Sequence, residues 1–312
     1  MTPSAEPPLR RELAAVQSAR PVVVLGTFDG VHCGHRALIA HTVEVAQRLR
    51  RPWVPVAFFP PPKTLLAGHA FLSSEREKHE LLVEAGRDAG AAPAEVVVVA
   101  FDADVAATPA EAFAAALAAL RPSAVVVGED FRFGRGRRGG IDMLRATADQ
   151  LEVLPLVAIG DEVVKSSLVR DALDAGDVER AAELLCAPYR VVGEVVRGDQ
   201  RGRTIGVPTA NLDLDPRKAL PEGVFAVTVD LPDGTRRGAM ANLGPRPSFA
   251  GPSARVEAHL FDVDGDLYGA TLRVHLVARL RAQRRFADLA ELRAQLSEDA
   301  RAARVRLGLV NH

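Results

Sequence analysis

GTFDGVHCGH, residues 26–35, follows directly on the apolar run Pro21-Val-Val-Val-Leu25. A short apolar run rich in β-branched residues predicts a buried strand, and the glycines after it predict a turn. A helix that begins near Gly34 would present free backbone N–H groups and the positive end of its dipole at this turn. The stretch therefore predicts a strand–turn–helix unit with His32 and His35 at the helix N-terminus.

The rest of the first half of the chain repeats this alternation of strand and helix. Buried strands are predicted at residues 22–25, 53–59, 95–101, 124–127 and 154–159, and helices at 36–50, 74–89, 108–120 and 141–150. Strands that alternate with helices predict a doubly wound parallel sheet with helices on both faces. Such sheets bind ligands at the carboxyl ends of their strands, which is where residues 26–35 fall.

The pattern changes near residue 187, after a helical stretch over residues 167–185. Strand-like runs follow at residues 189–197, 223–231, 236–243, 254–262 and 271–280. The dipeptides Asp233-Gly234 and Asp264-Gly265 are typical of hairpin turns. Several short strands at this spacing predict a small β-barrel, and residues 288–307 predict a terminal helix. We therefore expect two domains, residues 1–186 and 187–312.

Composition limits the class of protein. The 312 residues are 48% hydrophobic and 25% charged, as in a globular protein of two domains. The net charge of −1 provides no basic field for nucleic acid. No apolar run approaches the roughly 20 residues that span a bilayer, and the first residues lack the apolar core of a signal peptide. We expect a cytoplasmic protein that binds neither nucleic acid nor membrane, and self-association stays open.

The chemistry of residues 26–35 suits a nucleoside triphosphate. His32 and His35 lie one helical turn apart and would point the same way, so their donors can stabilise charge that develops on an attacked α-phosphate. Gly26, Gly30 and Gly34 would let the backbone approach the ligand closely. The alternatives are two ordinary histidines, or two zinc ligands, although no third ligand is nearby in sequence.

A second candidate site lies in the loop after residue 197. Gly198, Gly202 and Gly206 would allow the backbone to wrap around phosphates. Thr209 and Asn211, two residues apart on an extended backbone, could point one way and share a hard cation such as Mg²⁺. From these residues alone, an ordinary glycine-rich hairpin with a structural Thr-Asn turn is the favoured interpretation.

Several stretches together resemble one family. Residues 26–35 resemble the HxGH signature of nucleotidyltransferases, in the form used by bifunctional riboflavin kinase/FAD synthetases. The further matches are VGEDFRFG (127–134) with GxDFRFG, KSSLVR (165–170) with SSTxxR, GRTIGVPTANL (202–212) with GRxLGFPTAN, NLGPRPSF (242–249) with NxGxRPTF, and VEAHL (256–260) with the strand of the catalytic glutamate. These matches keep the family's order and cover nearly the whole chain.

The resemblance implies that the N-terminal domain transfers AMP from ATP to FMN and releases pyrophosphate. His32 and His35 would then contact the ATP phosphates as catalytic residues. The implied nucleotide-binding residues of this domain are Gly26, Phe28, Asp29, Gly34, Ser166, Ser167 and Arg170. Asp130 and Arg132 would lie near the nucleotide or flavin. Arg132 and the neighbouring Arg135, Arg137 and Arg138 would form a basic rim for the FMN phosphate, or a merely solvated loop.

For the C-terminal domain the resemblance implies a riboflavin kinase, with Glu257 as the general base for the riboflavin 5′-hydroxyl. Thr209 and Asn211 would bind Mg²⁺ together with the co-substrate ATP. Gly198, Gly202 and Arg203 would contact the nucleotide, and Arg281 would lie near the flavin or a phosphate. Glu257 could also simply belong to the solvent face of its strand. The implied small-molecule partners are riboflavin, FMN and ATP.

Four positions depart from the family pattern, and one of them, Ser248 in place of threonine, keeps the hydroxyl. Pro61 stands where FxPHP has its histidine, Lys165 replaces a first serine, and Gln283 replaces a glutamate. A second hypothesis is therefore a riboflavin kinase paralogue whose N-terminal domain is inactive or uses another nucleotide or a modified flavin. A third is a protein that binds flavin without turnover. The intact histidine pair and Glu257 argue against this third hypothesis.

Overall fold

The computed structural model describes residues 6–197, 208–245, 254–263 and 265–309. The chain divides into two compact units, Met1–Ser166 and Ser167–His312. The helical stretch after residue 166 thus groups with the second unit by its contacts. The domain boundary expected after residue 186 stays a prediction.

The first unit contains short strands and helices in alternation. Its strands are β1 (Leu9–Arg10), β2 (Val22–Leu25), β3 (Trp53–Phe59), β4 (Val96–Ala100), β5 (Ala124–Gly128), β6 (Leu151–Leu154), β7 (Ala158–Ile159) and β8 (Glu162–Val163). Its helices are α1 (Cys33–Leu49), α2 (Pro62–Ala67), α3 (Glu75–Asp88), α4 (Ala103–Ala107), α5 (Ala110–Ala119) and α6 (Ile141–Leu144).

Six of these strands form a sheet in the order β1-β4-β3-β2-β5-β6, and all neighbours run parallel. Along β2, Val22 and Val24 pack into one hydrophobic cluster with residues of α1, whereas Val23 and Leu25 pack into another with residues of α5. Helices therefore cover both faces, and the predicted doubly wound sheet is confirmed. The strand order reverses between β2 and β5, which makes the carboxyl ends of these two strands the switch point where such sheets bind ligands.

Three predicted elements of this unit are wrong in extent, among them the helix expected at residues 141–150, which ends at Leu144. The strand expected at residues 154–159 ends instead at Leu154, because Pro155 has no N–H for the ladder and the N–H of Leu156 donates to the Glu129 carboxylate (3.0 Å). The helix expected at residues 108–120 begins two residues later, as α5 from Ala110, and Thr108 ends the preceding helix α4 instead of opening α5. Its hydroxyl donates to the carbonyl of Asp104, within α4 (3.0 Å).

The second unit is a barrel with flanking helices. Helices α7 (Ser166–Asp174) and α8 (Val178–Leu185) lead into β9 (Arg190–Val196), β10 (Ala210–Asp213), β11 (Gly223–Asp230), β12 (Arg236–Pro245), β13 (Ala254–Leu260) and β14 (Thr271–Arg281), followed by α9 (Leu289–Arg306). The strands close into an antiparallel barrel in the order β10-β13-β12-β11-β14-β9. The predicted β-barrel and terminal helix are confirmed, although β10 was not expected as a strand.

Side-chain alternation in the barrel separates core from surface. On β13, Val256 and Ala258 are fully buried, so the intervening Glu257 points to the opposite face of the strand. Asp233 and Gly234 form the predicted hairpin turn between β11 and β12, closed by a bond from the Leu231 N–H to the Thr235 carbonyl (2.9 Å). The barrel thus presents Glu257 on a surface formed by several neighbouring strands.

Candidate active sites

The first candidate site lies where β2 ends and α1 begins. His32 is the N-cap residue of α1, and its Nδ1 accepts a hydrogen bond from the backbone N–H of His35 (3.4 Å). A side chain that accepts such a bond satisfies one of the free donors at the start of a helix. The site therefore forms at the switch point of the sheet, on the helix that the sequence predicted.

The two imidazole rings of the pair are stacked. Their centroids lie 3.7 Å apart with an interplanar angle of 18°, and the ring of His35 also lies 5.1 Å from that of Phe28. Among the described residues, no group forms a hydrogen bond with the buried Nδ1 of His35. The structure thus brings together both predicted histidines and leaves a ring nitrogen of His35 open to a further partner.

Burial makes both rings neutral at physiological pH. It lowers the pKa of His32 to about 4, although the nearby charge of Asp29 acts in the opposite direction. Burial also lowers the pKa of His35 well below its ordinary value, and the charges of His32 and Lys78 add to this effect. Because Nδ1 of His32 accepts a hydrogen bond, its single proton lies on Nε2. His32 can therefore donate a hydrogen bond without carrying a positive charge.

Two of the predicted glycines make room for rings of the chain itself. A Cβ on Gly26 would lie 2.9 Å from Cζ of Phe28, and a Cβ on Gly34 would lie 3.3 Å from the ring of His32. Phe28 itself is fully buried with a φ of 47°. These glycines allow the turn to fold closely over the aromatic side chains. The packing of these rings is therefore a second reason for glycine at both positions, in addition to the predicted close approach of a ligand.

Asp29, predicted to bind nucleotide, is only 3% exposed. Its Oδ1 accepts the backbone N–H groups of Leu72 (2.8 Å) and Ser73 (3.2 Å). Its backbone carbonyl accepts a hydrogen bond from the hydroxyl of Ser166 (2.9 Å), another predicted site residue. Asp29 therefore fastens the turn to the segment before α3, and Ser166 lies against the same turn.

Lys78 of α3 was missed by the sequence analysis. It is fully buried, and its Nζ donates to the backbone carbonyl of Thr27 (2.5 Å). Burial lowers its pKa to about 8, against the opposing effect of Asp29. The available signal was its spacing: Lys78 lies four residues before the buried Leu82, on the apolar face of the helix.

The other predicted residues of this site lie in more open surroundings. Asp130 and Arg132 are exposed in the segment that follows the carboxyl end of β5, and Arg132 donates to the carbonyl of Phe131 (3.0 Å). Arg135, Arg137 and Arg138 are also exposed. Ser167 and Arg170 lie on α7. Of the departures from the family pattern, Lys165 is exposed and Pro61 is the buried N-cap residue of α2.

The second candidate site is a row of polar residues across three strands of the barrel. Glu257 on β13 lies directly opposite Asn211 on β10 and directly opposite Asn242 on β12. Residues opposite each other in an antiparallel pair project from the same face. Glu257 is half-buried, Asn211 is 9% exposed and Asn242 is exposed. The register thus places two amide side chains on either side of the predicted general base.

The orientation of the Asn242 amide follows from its neighbours. Nε2 of Gln283 donates to the carbonyl of Leu243 (2.9 Å) and to Oδ1 of Asn242 (3.0 Å). A backbone carbonyl only accepts, so this atom of Gln283 is its nitrogen, and the atom of Asn242 next to it is an oxygen. The NH₂ group of Asn242 is therefore turned away from Gln283, and it is a donor suited to the carboxylate opposite it in register.

The residues predicted to hold Mg²⁺ offer oxygen donors. Thr209 is exposed directly before β10, and its carbonyl accepts a weak bond from Nδ2 of Asn211 (3.5 Å). A hydroxyl, an amide oxygen and the nearby carboxylate of Glu257 form the kind of hard donor set that Mg²⁺ prefers. Among the residues that the structure describes, no three His, Cys, Asp or Glu side chains form a group able to hold a metal. The donor chemistry fits Mg²⁺ bound together with a substrate phosphate.

Arg281 forms a buried ion pair with the terminal helix. Its Nε donates to Oδ1 of Asp299 (2.9 Å), and its Nη2 donates to Oδ2 (2.7 Å). Asp299 is 3% exposed and also accepts a bond from Gln295 (2.7 Å). The guanidinium therefore joins β14 to α9, and its predicted proximity to flavin or phosphate stays a prediction. The predicted Gly198, Gly202 and Arg203 lie outside the described residues.

Family models match both halves of the chain. A model described as FAD synthetase matches residues 15–168, and one described as riboflavin kinase matches residues 185–307. A bifunctional riboflavin kinase/FMN adenylyltransferase from Escherichia coli K12 is 38% identical over 297 residues, which cover 92% of this chain and 93% of that protein. A protein of the same description from Bacillus subtilis is 30% identical and covers 92% of each chain. These matches confirm the family resemblance seen in the motifs.

A solved structure has the same fold over nearly the whole chain. It is that of a protein described as a macrolide-efflux protein from Streptococcus pneumoniae, with 30% identity and a TM-score of 0.81. The match covers 96% of this chain and 99% of that chain. In the described part of this chain, none of the helices combines the length and apolar character that a membrane span requires.

Proposed function

This chain belongs to the family of bifunctional riboflavin kinase/FMN adenylyltransferases, and we propose that its two reactions occur at the two candidate sites. The enzyme phosphorylates riboflavin to FMN and transfers AMP from ATP to FMN, giving FAD and pyrophosphate. We assign adenylyl transfer to the site around His32 and His35, and the kinase reaction to the site around Glu257. The two family models, each matching a different half of the chain, support this division.

The stacked histidine pair at the switch point of the sheet is the observation that carries the first assignment. In adenylyl transfer, an oxygen of the FMN phosphate attacks the α-phosphorus of ATP, and the bond to pyrophosphate breaks. Negative charge grows on the α-phosphate oxygens during this step. His32 would donate from Nε2, and the open ring nitrogen of His35 supports a role for that ring in contact with the ligand. Donors fixed by burial stabilise such charge without first having to reorganise.

The remaining predicted residues complete this proposal. Ser166, Ser167 and Arg170 would hold the other side of the triphosphate. Asp130 and Arg132, in the segment after β5, would contact the nucleotide or the flavin phosphate. No covalent intermediate is required, because the phosphate of FMN is itself the nucleophile. The site has to align two highly charged molecules and stabilise the charge that develops between them.

Glu257 carries the kinase assignment. Its carboxylate would take the proton of the riboflavin 5′-hydroxyl as that oxygen attacks the γ-phosphorus of ATP, and ADP would leave. Asn242, oriented by Gln283, supports a fixed position for this carboxylate. Thr209 and Asn211 would hold Mg²⁺ with the nucleotide, and the ion would neutralise part of the phosphate charge. Gly198, Gly202, Arg203 and Arg281 complete the proposed substrate contacts.

The test is a chromatographic assay of the purified chain with Mg-ATP and either riboflavin or FMN. We expect FMN followed by FAD from riboflavin, and FAD from supplied FMN. FMN without FAD in both reactions would contradict the adenylyl-transfer assignment and favour a kinase whose first unit is altered. Flavin that is bound without consumption of ATP would contradict both assignments.

We also propose that the protein acts in the cytoplasm, where its co-substrate ATP is found. The net charge of −1 supports small-molecule partners rather than nucleic acid. Size-exclusion chromatography with light scattering would measure whether the chain associates with itself.

A further inference from the structure

Lys78 is a fully buried lysine beneath the turn that carries the histidine pair. Its Nζ donates to the carbonyl of Thr27, two residues after the end of β2 (2.5 Å). Lysine is almost never fully buried unless its charge is compensated. Burying the ammonium group of Lys78 therefore costs free energy of folding. A function that offsets this cost is expected at the turn that Lys78 contacts.

Other bonds fasten the same turn from the same side. Oδ1 of Asp29 accepts the N–H groups of Leu72 and Ser73, and the N–H of Gly30 donates to the hydroxyl of Ser73 (3.1 Å). The segment that makes these bonds leads directly into α3, whose first turn is fixed by a capping box between Ser74 and Glu77. Lys78 thus belongs to a rigid support that holds residues 27–30 through both carbonyl and amide groups.

The charges around this turn give Lys78 a second role. Both imidazoles are neutral near pH 7, so they add no positive charge for a triphosphate. Within the described part of the first unit, the charged or titratable groups that interact with Lys78 are Asp29 on the turn and His35 on α1. Removing the lysine would take away a positive charge next to the buried carboxylate of Asp29. Because this turn is where the phosphates would bind, the loss would weaken the attraction for a triphosphate.

We propose that Lys78 is a positioning residue for adenylyl transfer, which fixes the turn at residues 27–30 and balances the charge of Asp29 where the triphosphate binds. This inference rests on the proposed function of the first site. It assigns the residue to binding and alignment through the turn, rather than to contact with the reacting atoms.

The test compares Lys78→Met with Lys63→Met, the same substitution at an exposed lysine on α2. For each variant, kcat and KM for ATP are measured in the conversion of FMN to FAD. Formation of FMN from riboflavin in the same preparation serves as an internal control. We expect Lys78→Met to lose about 100-fold in kcat/KM for FAD formation, the effect of a misplacement of about 1 Å in the groups that align the substrates. Lys63→Met should match the wild type, and both variants should retain kinase activity.

The pH profile distinguishes this role from simple support of the fold. Because burial lowers the pKa of Lys78 to about 8, FAD formation by the wild type should decline as pH rises through that value, and kinase activity should show no such decline. Lys78→Met should lack this alkaline decline. Fluorescence of Trp53, the single tryptophan of the chain, reports whether the first unit is folded.

Two results would overturn the inference. The first is a folded Lys78→Met variant whose FAD formation stays within threefold of the wild type. The second is a rate of FAD formation by the wild type that does not change between pH 7 and pH 9. This second result would overturn the inference even if the Lys78→Met variant did not fold. A wild type that forms no FAD at any pH would instead contradict the proposed function of the site.

Discussion

The buried state of His32 predicts a specific loss of stability in acid. Its pKa is about 4 in the folded protein and 6.5 in a solvent-exposed chain. Between these values the unfolded chain binds a proton that the folded chain does not, so stability falls as pH decreases. One pKa unit corresponds to about 1.36 kcal/mol, and His32 therefore accounts for about 3 kcal/mol lost between pH 6.5 and pH 4.

The matched control is His32→Asn. Asparagine is among the best N-cap residues, so it can still accept the bond from the backbone N–H of His35, but it does not titrate. Urea unfolding of the ligand-free protein is followed by fluorescence of Trp53, which lies on β3 and reports the first unit. We expect the wild type to lose about 3 kcal/mol more than the variant between pH 6.5 and pH 4.

The quantity compared is the change in the free energy of unfolding with pH. The absolute free energies are not compared, because the substitution itself changes packing against His35. His35 contributes in the same direction in both proteins, and because burial is the largest cause of its lowered pKa, most of its effect cancels in the difference. Parallel stability curves for the wild type and His32→Asn over this pH range would refute the conclusion that His32 is held neutral by burial.

Two further predictions concern the second unit. Gln283→Leu removes the amide nitrogen that donates both hydrogen bonds to Asn242 and Leu243. It should lower kcat for riboflavin phosphorylation roughly tenfold, about the net value of one hydrogen bond, and leave FAD formation from FMN unchanged. Equal kinase rates for the variant and the wild type would contradict this prediction. Asp299→Ala leaves Arg281 without its buried partner and should destabilise the second unit by about 3 kcal/mol. Thermal inactivation of the kinase measures this loss, and an unchanged inactivation temperature would argue against a structural role for the pair.

Much of the fold could be predicted because local and long-range preferences agree. β2 and β3 have the predicted bounds, since their apolar runs are buried on both faces and end at glycine or proline. β10 was missed because Ala210–Asp213 is short and half polar, and its strand character comes from pairing with β9 and β13. No local pattern reveals a strand of this kind.

The residues of the candidate sites were likewise predicted only in part. His32, His35 and Glu257 were predicted from motifs, which record residue type and spacing. The residues that hold the turn of the first site in place were not predicted to do so, because the buried contacts of Lys78 and Asp29 depend on how α3 packs beneath the turn. The orientation of Asn242 likewise depends on Gln283, which is 41 residues away in sequence. Residues that are proposed to contact substrate can thus be identified from sequence patterns more easily than the residues that position those groups.

The central claim is that one chain contains two separate catalytic sites, and reciprocal variants test it most directly. Glu257→Gln should lower FMN formation from riboflavin by about 10²–10⁴-fold, the usual contribution of a general base, and should spare FAD formation from FMN. His35→Ala should lower FAD formation by about 10²–10³-fold and spare the kinase. Chromatography of the products of both variants with each substrate gives all four rates. A single substitution that abolishes both activities in a folded protein would contradict the account.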